Sequence, residues 1–84
     1  MKAIVYSKIL CPYCEMAKKL LQKKGVSYEE LIIDVDISLQ KAFGEIGTSF
    51  KSVPQIVLDG THIPGYNALV EYFKKKEQNN GEPK

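Results

Sequence analysis

With 84 residues the chain has room for one small domain, and its 44% hydrophobic content suffices for one modest core. A net charge of +2 is too slight to point to nucleic acid, whose binders carry a denser basic face. No run approaches the ~20 apolar residues of a membrane span, and the opening segment, broken at once by Ser7-Lys8, does not read as a signal peptide. The expectation is a soluble, cytoplasmic protein with no nucleic-acid or membrane partner.

Residues 2–6 are short and β-branched and predict a buried strand. Cys11-Pro12-Tyr13-Cys14 contains the only two cysteines and opens a helix predicted over residues 12–24. Pro12 suits the first helical position, where its missing N–H costs nothing. Met16, Ala17, Leu20 and Leu21 form the apolar face of this helix, with Lys18, Lys19, Lys23 and Lys24 mostly outside it. Gly25 suits the C-terminal cap. On this wheel Cys14 points inward and Cys11 stays accessible at the tip. Residues 27–33 predict a second strand, and a strand–helix–strand crossover of this length implies parallel pairing with a right-handed connection.

Asp34, Asp36 and Ser38 offer caps for a helix over residues 38–46, with Leu39, Ala42, Phe43 and Ile46 at helical spacing and Gly47 at its end. Residues 55–58 predict a strand, Asp59-Gly60 a two-residue hairpin turn, and residues 61–63 a returning edge strand. Asn67 is a candidate cap for a last helix over residues 67–77, with Leu69, Val70, Tyr72 and Phe73 on its apolar side. The expected order is β-α-β-α-β-β-α, one domain over residues 1–77 followed by a flexible polar tail at 78–84.

Two thiols three residues apart at a strand-to-helix junction point to a redox centre. Cys11 falls at a helix N-terminus, where backbone N–H groups and the helix dipole favour a thiolate; an ordinary thiol pKa of ~8.5 drops to ~3.5–7.5 in such settings. Lys8 either adds a positive charge near that sulfur or is an ordinary surface lysine. Pro12 removes one N–H and leaves the amides of Tyr13 and Cys14 to face the sulfur. Tyr13 either packs on the helix start or contacts substrate. Cys14, one turn deeper, is placed to attack a mixed disulfide on Cys11 and release the reduced substrate. A purely structural disulfide is disfavoured in a reducing compartment, so redox and metal chemistry compete. A structural zinc site takes four ligands. The chain offers two cysteines and His62, which falls in a predicted edge strand far along the chain, so no metal is expected in one chain, although a dimer could build such a site.

Two further segments carry alternatives. Val53-Pro54 is either an ordinary trans loop bond or a cis turn; a cis bond beside the thiols exposes the Val53 backbone to pair with an extended substrate. Ile63-Pro64-Gly65-Tyr66-Asn67 is either a plain turn and cap, which the residues alone favour, or an anion site built from exposed amides. A rival function is a Cu(I) chaperone with soft thiolate ligands, but its β-α-β-β-α-β order does not fit a chain that ends on a helix.

Ser7-Lys8-x-x-Cys11-Pro12-Tyr13-Cys14, then Ser52-Val53-Pro54-Gln55-Ile56, then Gly60-x-His62-Ile63-Pro64-Gly65-Tyr66 resemble, in order and spacing over residues 1–76, the dithiol glutaredoxins, small bacterial or bacteriophage members among them. The resemblance implies a thioredoxin-like α/β fold with a four-stranded mixed sheet flanked by helices. It implies a monomeric, glutathione-dependent thiol–disulfide oxidoreductase acting on protein disulfides and protein–glutathione mixed disulfides. Glutathione is then the co-substrate, and ribonucleotide reductase a protein acceptor. By the same resemblance Cys11 is the nucleophile and Cys14 the resolving thiol. Lys8, Pro12 and Tyr13 flank the glutathione groove, Val53 pairs with the glutathione backbone, and Pro54 is the cis proline. Gly65, Tyr66 and Asn67 receive the γ-glutamyl end, and Lys51 faces the glycyl carboxylate. An iron–sulfur carrier, two protomers each giving Cys11 with glutathione completing the ligand set, is disfavoured because Pro12 stiffens the loop and Cys14 competes. Pro64-Gly65 stands where the family usually has Gly-Gly, and Asn67-Ala68 where an Asp commonly follows. Loss of that acid predicts weaker glutathione binding or a shift toward protein disulfides.

Overall fold

A computed structural model describes residues 1–81, with side chains described through Glu77. The elements are β1 (Lys2–Ser7), α1 (Pro12–Lys23), β2 (Ser27–Ile32), α2 (Leu39–Ile46), β3 (Gln55–Leu58), β4 (Thr61–Ile63) and α3 (Tyr66–Gly81). This is the predicted order, with the first helix and second strand each ending one residue early. The sheet runs β2-β1-β3-β4. β1 and β2 are parallel across the α1 crossover, with Tyr6 opposite Leu31, while β1–β3 and β3–β4 are antiparallel. The β3–β4 hairpin turns on Asp59 and Gly60, whose φ values of +49° and +84° fit the primed turn expected of this pair.

Alternation along β1 builds a core on each face of the sheet. Ala3 and Val5 pack with Ala17 and Leu21 of α1, Ile56 and Leu58 of β3, and Leu69 and Phe73 of α3. Tyr6 faces the other way, into a smaller cluster with Ile33, Ile37 and Ala42 of α2. Its hydroxyl donates to Oε1 of Glu45 at 2.9 Å. Burial, then the hydrogen bond and charge of Glu45, with Glu29 adding to it, push the phenol up to about 12.

Three local expectations are corrected. The helical wheel put Met16 on the buried face, yet it is 42% exposed, because Cys14, Ala17 and Leu21 take the buried face of α1 and Met16 lies at its edge. Lys18 was expected outside; its side chain is only 15% exposed and is held between two carboxylates. The last helix begins at Tyr66, so Asn67 lies inside its first turn and is not the cap; the carbonyl of Gly65 accepts from the N–H of Leu69 at 3.1 Å instead. That helix continues to Gly81, past the expected end at residue 77. Of the expected tail, residues 82–84 lie outside the described residues. Among the described residues no helix is long and apolar enough to cross a membrane.

Candidate redox site

β1 ends at the fully buried Ser7, and Lys8, Ile9 and Leu10 carry the chain to the surface. Leu10 is 94% exposed and takes φ +58°, the left-handed region that a leucine rarely adopts. That turn delivers Cys11 to the cap of α1 with extended backbone (φ −115°, ψ 102°) and Pro12 at the first helical position. The Cys11 Sγ accepts a hydrogen bond from the N–H of Cys14 at 3.1 Å. Of the two amides expected to face the sulfur, this is the one that bonds to it. Pro12, which has no N–H to offer, shapes the turn.

Cys11 and Cys14 form a disulfide, with Cα atoms 5.2 Å apart. Cys14 is 1% exposed, whereas Cys11 sits half-buried at the helix tip. The asymmetry follows from α1 itself: Cys14, Ala17 and Leu21 share the face turned to the sheet, and the cap residue lies beyond it. One sulfur is therefore reachable from solvent and the other only through its partner.

Val53-Pro54 is cis, which settles the alternative left open above. The Val53 carbonyl oxygen lies 4.0 Å from the Cys11 Sγ, so the loop before β3 stands beside the disulfide. Two cavities meet at Ser52 and Val53. One, of about 370 Å³, is bounded by Tyr13 and Pro54 and by Gly65, Tyr66 and Asn67 at the start of α3. The other, of about 270 Å³, is bounded by Lys8, Lys51, Phe50 and Leu39. The rings of Tyr13 and Tyr66 stand 6.2 Å apart, tilted by 43°. Gly65 makes the bend into α3 with φ +109°, which L side chains disfavour.

Tyr13, Val53, Pro54, Gly65, Tyr66 and Asn67 line the first cavity and Lys8, Lys51 and Val53 the second; neither is lined by a cysteine, and Val53, common to both, is the residue that stands beside the Cys11 sulfur. Lys8 opens onto the Lys51 side of the groove these two cavities form. A separate hollow at the sulfur is lined by Leu10, Cys11, Pro12 and Glu15. His62 is elsewhere, with Nε2 2.6 Å from Oε1 of Gln55.

Sequence reasoning missed the polar network under the site. The Ser7 hydroxyl donates to Glu30 at 2.7 Å, and the Lys18 ammonium binds Glu30 at 3.0 Å and Glu15 at 2.8 Å. The Glu15 hydrogen bond and then the Glu30 carboxylate hold the Lys18 ammonium above its usual range, against the opposing effect of burial. β1, β2 and α1 are thereby tied together next to the cysteines. The Lys18 charge also offsets that of Glu15, which otherwise opposes a thiolate at the same helix end. A signal was present: Glu30 sits in a predicted strand just before the apolar run Leu31-Ile32-Ile33, where a carboxylate calls for a partner.

The sequence model of the Glutaredoxin family matches residues 3–63. Glutaredoxin 3 of Escherichia coli K12 is 42% identical over 65 residues, 77% of each chain. The hybrid peroxiredoxin hyPrx5 of Haemophilus influenzae is 38% identical over 69 residues, which span 82% of this chain but 28% of that longer protein. Among solved structures, the buckwheat glutaredoxin–glutathione complex matches with a TM-score of 0.72 at 26% identity, over 89% of this chain and 70% of that one. Sheet order, the reachable sulfur with its buried partner, and sequence similarity across most of the chain agree: this is a thiol–disulfide oxidoreductase, and the chain belongs to the glutaredoxin family.

Proposed function

We propose that the chain reduces protein disulfides and protein–glutathione mixed disulfides at the expense of glutathione. The observation that carries this reading is the Val53 carbonyl 4.0 Å from the Cys11 sulfur, with Val53 shared by two cavities. A γ-glutamyl tripeptide has a carboxylate at each end and a cysteine between them. Lys8 and Lys51 at one end of the groove suit the glycyl carboxylate. At the other end, the first turn of α3 at Tyr66 and Asn67 offers N–H groups for the γ-glutamyl carboxylate. Val53 lends its backbone to the central cysteine, with Pro54 behind it and Tyr13 as the near wall, while Pro12 borders the hollow at the sulfur itself. The buckwheat glutaredoxin, solved with glutathione, supports this assignment.

In the proposed cycle the Cys11 thiolate attacks a substrate disulfide, whose S–S bond breaks as one thiol leaves. The Cys14 thiolate then attacks the Cys11 sulfur, releasing the second substrate thiol and closing the Cys11–Cys14 disulfide. One glutathione thiolate opens that disulfide by bonding to Cys11. A second removes the first as glutathione disulfide, leaving both cysteines reduced. By family likeness the protein acts as a cytoplasmic monomer, with ribonucleotide reductase among its acceptors. The test is glutathione-coupled reduction of a glutathionylated protein and of a protein disulfide. Cys11→Ser loses both activities, while Cys14→Ser keeps the first and loses the second. An active Cys11→Ser protein overturns the mechanism.

A further inference from the structure

One solvent-facing stripe of α1 has no part in the cycle above beyond its first residue. Tyr13 and Met16 are 57% and 42% exposed, and the exposed Leu10 stands at the reactive sulfur in the hollow it shares with Cys11, Pro12 and Glu15. Farther along the same helix face, Met16, Lys19, Leu20 and Lys23 line a hollow of about 290 Å³ closed on its far side by Tyr66. Among the described residues neither Lys19 nor Lys23 forms an ion pair, in contrast to Lys18 and Lys24. The stripe therefore runs from the apolar Tyr13 and Met16 to the cationic Lys19 and Lys23, with Glu15 beside the sulfur neutralised by Lys18, and it is continuous with the site through Tyr13 and Tyr66.

We infer that this stripe selects protein substrates: it seats an extended segment with apolar residues next to the reacting cysteine and an acidic residue farther along. The occupant follows from continuity and charge. A chain whose cysteine is bonded to Cys11 must leave the site over adjoining surface, and along α1 that surface runs from Leu10 to Lys23. At 1.5 Å per residue, Lys19 and Lys23 lie about 12 and 18 Å along the helix axis from Cys11. At about 3.3 Å per extended residue, the acidic side chain falls some four to five positions from the substrate cysteine. The inference rests on the reductase reading above and adds the chemistry of the preferred substrate.

The test compares two disulfide-linked peptide dimers of the same apolar sequence around one cysteine, one with glutamate and one with glutamine at the fourth and fifth positions on both sides. Each is reduced by the full chain with glutathione. The glutamate peptide is expected to show a kcat/KM about three- to tenfold higher. The preference should vanish at about 1 M salt, where the screening length is about 3 Å, and in the Lys19→Glu/Lys23→Glu protein. Reduction of bis(2-hydroxyethyl) disulfide, which does not reach the far end of α1, should be unchanged in that variant. Equal kcat/KM for the two peptides at low salt overturns the inference while leaving the reductase reading intact. Failure to reduce either peptide or the small disulfide overturns both.

Discussion

The N–H of Cys14 lies 3.1 Å from the sulfur of Cys11 and donates to it. A thiolate accepts such a bond more strongly than a thiol does, and the helix dipole acts in the same direction. Both effects favour a thiolate once Cys11 is reduced, so an ionised sulfur near neutral pH is the expected outcome. Thiolate absorbance of the Cys14→Ser protein, followed against pH, should show its midpoint well below the ordinary thiol value of ~8.5. A midpoint near 8.5 would remove the basis for Cys11 as the attacking group.

Removing Lys18 should unsettle the ground beneath the cysteines. Lys18→Met leaves the Glu30 carboxylate, 25% exposed, without its cation. The expected loss is about 1–2 kcal/mol by urea unfolding, against about 0.5 kcal/mol or less for Lys19→Met on the open face. The folded state raises the Lys18 pKa above its ordinary 10.5. Its contribution is then complete below that value and declines as pH climbs through the raised pKa. The gap between Lys18→Met and the unsubstituted protein should close only in strong alkali.

Tyr6 gives an optical counterpart. Its phenol ionises at about 12 when folded, against 10.0 unfolded. Between those values the unfolded chain releases a proton that the folded chain keeps, so stability falls as pH rises from 10 toward 12. Difference absorbance should show a late tyrosinate step near 12, and Tyr6→Phe should abolish that step together with its share of the alkaline destabilisation.

Leu10 is in an unfavourable conformation for its residue type. Its side chain is 94% exposed and its φ is +58°. Leu10→Gly gives up almost no packing and relieves a left-handed cost of about 1–2 kcal/mol, partly offset by about 0.5–1 kcal/mol of extra unfolded-state freedom. A small net stabilisation in urea is expected, and a clear destabilisation would show that Leu10 is packed in solution.

Asn67→Asp tests the glutathione subsite. A carboxylate there would meet the glutathione ammonium at an exposed position, where one ion pair gives about a two- to fivefold tighter half-saturation. An unchanged glutathione dependence would move the γ-glutamyl end elsewhere in the groove.

Backbone signals were the most legible part of the chain. Pro12 at the head of α1, Ser38 capping α2 by accepting from the Lys41 N–H, Gly47 at its end with φ +95°, and Asp59-Gly60 in the hairpin all act through local sterics and near-neighbour bonds. The redox pair was legible for the same reason, since three residues of helix determine where both sulfurs point. Contacts that depend on distant residues were not legible. A wheel places Met16 and Lys18 relative to the helix axis, but only the arrival of Glu30 from β2 draws Lys18 inward, and only the burial of Cys14, Ala17 and Leu21 leaves Met16 at the edge. The start of α3 was misread because Gly65, not Asn67, stands at the cap position, its carbonyl accepting the helix's first i→i−4 bond and its positive φ making the bend, so that Asn67 falls inside the first turn.

Two helices shelter one face of the sheet, whereas the eight-residue α2 is the helix packed on the other. Amides under α2 should therefore be the first of the sheet to trade hydrogen for deuterium. Phe50 belongs both to the packing beneath α2 and to the rim of the Lys8–Lys51 cavity. Filling that rim would brace the weaker wall, so guest molecules in the groove should be heard as a slowing of isotope uptake in the layer beneath α2.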